Sequence, residues 1–63
     1  MKVCHALLDD RINDNTTVII QDKFGGALAF GRWYQDKILV WGNFEASFEF
    51  EEERNRLYLQ LLP

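Results

Sequence analysis

An α+β fold is predicted: a short N-terminal helix beside an antiparallel meander of four to five strands, which could curl into a small barrel to hide its edges. Three observations carry this. Thr17–Gln21 and Ala27–Tyr34 are β-prone runs around a turn cluster of Asp22, Gly25 and Gly26, a hairpin signature. Phe44 to Glu51 alternates strictly, with Phe44, Ala46, Phe48 and Phe50 on one face and Glu45, Ser47, Glu49 and Glu51 on the other. Turn residues recur at intervals of about ten residues, the spacing of short antiparallel strands.

The elements follow in order. Lys2 to Asp10 reads as a helix with Cys4, Leu7 and Leu8 at i, i+3 and i+4 and Val3 and Ala6 beside them. Asp9 and Asp10 oppose the dipole at its C-terminal end, so packing must hold it. Ile12 is expected in the same core, and Asn13-Asp14-Asn15 forms a turn. After the hairpin, Gln35-Asp36-Lys37 is turn-like. Ile38-Leu39-Val40-Trp41 is too short and too β-branched for a helix, and Gly42-Asn43 suits a tight turn into the next strand. The C-terminus admits two readings. Arg56 to Leu62 could be a strand with Leu57, Leu59 and Leu61 on one face, or Glu51 to Leu62 could be a helix with acids in its first turn. The strand is preferred, because the first six residues of such a helix would offer the core nothing.

The chain of 63 residues is a single small domain, near the lower limit for folding alone. Cys4 is its one cysteine, so no disulfide forms within it, and Cys4 with His5 is too small a set for zinc. No metal or cofactor is expected. Support must come from an aromatic core, from self-association, or from both. No apolar run spans a bilayer and Met1 to His5 has no signal-peptide core, so the expected location is the cytoplasm, without membrane contact. A lone reduced thiol agrees. Formal charge is −3, and its excess lies entirely after residue 43. Without a basic face, nucleic-acid binding is disfavoured.

The layout has a resemblance. A Met1-Lys2-Val3 start with Leu7-Leu8 leads into Thr17-Val18-Ile19-Ile20-Gln21-Asp22, a glycine turn, Leu28 and Gly31, and an alternating Leu-rich closing strand. This resembles a loose group of small uncharacterised proteins encoded by bacteriophages and mobile elements of Gram-positive bacteria. The resemblance implies an accessory protein in the cytoplasm of the bacterial host, and no activity. The chain departs from that pattern between Arg32 and Trp41, which is unusually aromatic.

Three constellations stand out. Cys4 and His5 could in principle pair as nucleophile and base, but neighbours on a helix point about 100° apart. Cys4 therefore reads as a small core residue and His5 as a surface one, and no catalytic residue is assigned. Glu45 and Glu49 lie about 13 Å apart on one strand face, farther than the roughly 5 to 9.5 Å of glycosidase pairs. Glu45 with Ser47, or Glu49 with Glu51, would fall in that range, but an outward face supplies no cleft to raise a carboxyl pKa. Glu45, Glu49, Glu51, Glu52 and Glu53 then read as a solvated acidic face, or as an acidic patch that mimics nucleic-acid phosphates. Finally, Phe30, Arg32, Trp33, Tyr34 and Trp41 are residue types that dominate protein contacts. Arg32, Trp33, Tyr34 and Trp41 are the candidate contact residues, unless both tryptophans fill the core.

The expected function is that of a non-enzymatic module that binds a protein, with self-association. The alternative is an acidic decoy that inhibits a nuclease or DNA-binding enzyme.

Overall fold

The computed structural model describes residues 1 to 63. Two single-turn helices, α1 (Val3–Ala6) and α2 (Asp36–Leu39), accompany four strands: β1 (Thr17–Gln21), β2 (Ala27–Gly31), β3 (Ala46–Glu51) and β4 (Arg56–Leu61). The class is α+β. The sheet, however, is mixed and open, with strand order β2-β1-β4-β3, and not an antiparallel meander or a barrel. Two antiparallel hairpins, β1–β2 and β3–β4, are joined by a parallel pairing of β1 with β4.

The reason lies in the connection from β2 to β3. In a meander those strands would be neighbours. Here residues 32–45 contain α2 and carry the chain across one face to the opposite edge. A crossover of about a dozen residues or more is what two strands of like direction require. β1 and β4 fill the gap between them.

The first hairpin follows its turn chemistry. Asp22 Oδ1 accepts hydrogen bonds from the backbone N–H groups of Phe24 and Gly26, both at 2.9 Å. Gly25 adopts φ +89°, a conformation that costs other residues a clash at Cβ. β2 ends at Gly31, three residues short of the expected Tyr34, because Arg32 to Gln35 form a turn. The Arg32 N–H donates to Gln35 Oε1 at 2.7 Å. A Cβ at Gly31 would collide with that same Oε1 and come within 2.6 Å of Lys37 Cε. Gly31→Ala is therefore expected to displace the Gln35 side chain and lower stability by about 0.5–1.5 kcal/mol, the worth of its hydrogen bond from the Arg32 N–H, read from the urea midpoint. An unchanged midpoint would mean that the turn does not hold Gln35 there.

The stretch 38–41 corrects a sequence expectation, for it is not a strand. α2 spans Asp36–Leu39, and Gly42 closes the following turn by donating to the Leu39 carbonyl at 3.0 Å. Gly42-Asn43 makes no hairpin. A strand would place Ile38 and Val40 on one face. Instead Ile38 is fully buried and Val40 is 69% exposed, while Trp41, one turn on from Ile38, packs on the core. α1 is likewise shorter than the expected Lys2–Asp10 helix, and its inward residues are Val3, Ala6 and Leu7. Leu8 points out, 79% exposed. Lys2 gives no side-chain cap at one end, and nothing at Asp9 or Asp10 favours the dipole at the other.

The core lies between one sheet face and the two helices. Val18, Ile20, Leu57 and Leu59 on the central strands and Ile38 from α2 are all fully buried. Ala46, Phe48 and Phe50 of β3 face the same way, as the alternation predicts, with the two phenylalanines half-buried. Phe44 departs from that expectation. It precedes β3, is 50% exposed, and packs on Trp41 with ring centroids 5.3 Å apart. The C-terminal segment takes the strand alternative, with Leu57 and Leu59 buried and Leu61 half-buried. No helix is long and apolar enough to cross a membrane.

Candidate functional site

Both helices lie on one side of the sheet, so its other face stays open. Strand register builds that face row by row. Ile19 is opposite Phe30 on β2 and Tyr58 on β4, and Tyr58 is opposite Glu49 on β3. The next row runs Thr17, Arg56, Glu51. Arg32 extends it on the β2 side, donating from Nη1 to Thr17 Oγ1 at 2.9 Å. On the far side of the Ile19 row lie Gln21, Gln60 and Ser47. Gln60 Nε2 donates to the Lys23 carbonyl at 2.9 Å, which ties the first turn to this face.

The chemistry of the face is graded across the strands. At the β2 edge, Lys37 brings Nζ to 5.5 Å from the Phe30 ring centroid, a cation–π contact, and Arg32 stands one row away. Phe30 is 66% exposed and Leu28 43%. The middle holds half-buried Ile19 and Tyr58. There the Tyr58 side chain, and after it the charge of Glu51, raise the Arg56 pKa above its ordinary value. At the β3 edge stand Glu49 and Glu51. A shallow groove lined by Gln21, Glu49, Phe50, Glu51 and Tyr58 runs into that edge.

The residues singled out in the sequence do not form one patch. Arg32 belongs to the open face. Trp33 instead borders a groove with Leu7, Leu8 and Ile12, and its Nε1 donates to Asp14 Oδ1 at 3.1 Å. Tyr34, 49% exposed, makes an edge-on contact with Trp33 at 5.6 Å. Trp41 is packed against the core, with Phe44 beside it. Sequence reasoning missed Ile19, Leu28 and Tyr58. The available signal was the alternation of β1, where Val18 and Ile20 claim the core and leave Ile19 outward.

The acidic residues are also divided. Glu45 pairs with the N-terminal amine at 3.0 Å, and Glu51 has Arg54 Nε at 3.6 Å. Glu52 and Glu53 are exposed in the β3–β4 turn and continue from Glu51 as a run of three carboxylates, which Arg54 and Arg56 follow. Cys4 is half-buried with a free thiol, and His5 is exposed.

The covered face has its own closure at the β3 edge, where neither helix reaches. Arg11 lies over the rings of Phe48 and Phe50, at 5.2 and 5.0 Å from their centroids. Its Nε and Nη2 donate to the two Asp9 carboxylate oxygens at 2.9 and 3.1 Å. The hydrogen bonds from Arg11 hold the Asp9 carboxyl below its ordinary value of 3.8. This clasp shields apolar rings and is structural.

No family model matches this chain, and no curated protein or solved structure is similar to it.

Proposed function

We propose that the chain is a non-enzymatic protein-interaction module that uses the open face of its sheet as the contact surface. One observation carries this: Ile19 and Tyr58 in the middle of the sheet and Phe30 on β2 form an apolar surface that neither helix covers, with Arg32 beside it at the β2 edge and Glu49 and Glu51 at the β3 edge. An apolar centre with a charged rim is the anatomy of a specific interface, and Tyr and Arg are among its energetic anchors. The resemblance to small phage and mobile-element proteins supports an accessory role in the host cytoplasm.

A photo-crosslinking amino acid placed at Phe30, with a control at the exposed turn residue Asn43, tests this reading in cells making the protein. Protein adducts are expected from position 30 and not from position 43. Adducts from neither, or equally from both, would reject the open face as the contact surface.

A further inference from the structure

We propose that a second copy of this chain covers the open face, as a two-fold dimer whose axis runs along the strands. This rests on the interaction-module reading and names its partner.

The charge pattern selects the arrangement. The face carries Arg32 at the β2 edge, where Lys37 reaches round from α2 to the Phe30 ring, and Glu49 and Glu51 at the β3 edge. Arg56 stands beside Glu51 on β4, and in the dimer it lies opposite the partner's Thr17, which is uncharged. A two-fold axis lying between stacked sheets can take two simple orientations. Across the strands, it sets β2 over β2 and β3 over β3, so like charges meet. Along the strands, between β1 and β4, it sets β2 of each copy over β3 of the other. Each edge then meets its opposite, and the contact is self-complementary, as a two-fold interface must be.

Register supplies the pairs. Phe30, Ile19, Tyr58 and Glu49 share one row across the sheet. Reversing that row on itself places Ile19 against the partner's Tyr58, and Lys37 with Phe30 against the partner's Glu49. The neighbouring row brings Arg32 to the partner's Glu51. Sheets packed in this way lie about 10 Å apart with strands within about 30° of one another. Ile19 and Tyr58 can fill that space.

Area sets the strength. Four strands at about 4.8 Å spacing and five residues at about 3.3 Å each give a flat footprint on the order of 300 Å². A standard interface buries about 800 Å² of accessible surface per partner, so this contact belongs to the small, transient class and is looked for between roughly 10 µM and 1 mM.

Sedimentation equilibrium across that concentration range tests it. The wild-type mass is expected to rise from one chain towards two. Lys37→Glu and Glu49→Lys should each weaken association about tenfold, because each sets like charges together twice per dimer. An equimolar mixture of the two variants should recover wild-type association, since its heterodimer has opposite charges at both contacts. The double variant in one chain should recover it too. This recovery also shows that the single variants are folded. A monomer throughout, a dimer indifferent to both substitutions, or a mixture no better than its components overturns the proposal. A monomer that still gives Phe30 adducts with a different protein removes the second copy and leaves the interaction-module reading standing. Loss of those adducts as well removes both.

Discussion

Leu59→Ala is expected to leave the protein at or past the edge of unfolding. Leu59 is fully buried on a central strand, beside Ile20 of β1 and Phe48 of β3. Truncating such a leucine costs about 2–5 kcal/mol, through lost burial and the cavity left behind. At about 0.05–0.15 kcal/mol per residue, a chain of this length has only about 3–9 kcal/mol in all. With so few elements packed on it, the sheet has little means of closing the gap. Urea or thermal unfolding measures the loss. Leu62→Ala, at a position 51% exposed just beyond β4, is the comparison and should change stability by less than about 0.5 kcal/mol. A loss at Leu59 no larger than at Leu62 would contradict the central place given to β4.

The second large effect is expected at Thr16. This residue is fully buried and polar. Its Oγ1 donates to Asn55 Oδ1 at 2.7 Å and accepts from the Asn13 N–H at 3.0 Å. Asn55 in turn accepts the Thr17 N–H on its carbonyl at 3.0 Å, and it sits in left-handed backbone with φ 53°. This pin joins the entry of β1 to the β3–β4 turn, and so sets the register of the parallel pair. Thr16→Val keeps the shape and removes both partly buried side-chain bonds, at a combined cost of about 1–3 kcal/mol. The Thr17 amide should then exchange faster with solvent. Asn55 gives an independent check. Asn55→Gly loses the hydrogen bond but keeps the backbone easy, whereas Asn55→Ala also incurs about 1 kcal/mol of left-handed strain. Stability should fall in the order wild type, Asn55→Gly, Asn55→Ala, and equality of the two variants would show that the pin carries no backbone strain.

Parts of the site were legible before folding and parts were not. Arg32, Glu49 and Glu51 stand out by residue type, and the alternation of residues 46–51 correctly gives the two glutamates an outward face. Trp33, Tyr34 and Trp41 stand out equally, yet they are not on that face. Trp41 follows Ile38 at helical spacing, and Trp33 turns towards the α1 side after β2 has ended. The grouping of Ile19, Phe30 and Tyr58 was hidden, because it needs β1 between β2 and β4, and residue 58 is distant in sequence from both.

The amino-acid sequence alone determined the local elements of this protein. Asp22, Gly25 and Gly26 specify a turn by their own hydrogen bonding and backbone freedom, and the alternation in Phe48–Glu51 and Leu57–Leu61 specifies strands by which side chains must leave water. The tertiary structure decided the rest. Residues 36–39 form a helical turn and 40–41 continue it as a turn, which buries Ile38 and sets Trp41 against the core despite the β-branched side chains at 38 and 40. The parallel pairing of β1 with β4 sets Val18, Ile20, Leu57 and Leu59, all fully buried, side by side at the centre of the sheet. That long-range burial, which no local pattern encodes, is also what separates the basic edge from the acidic one.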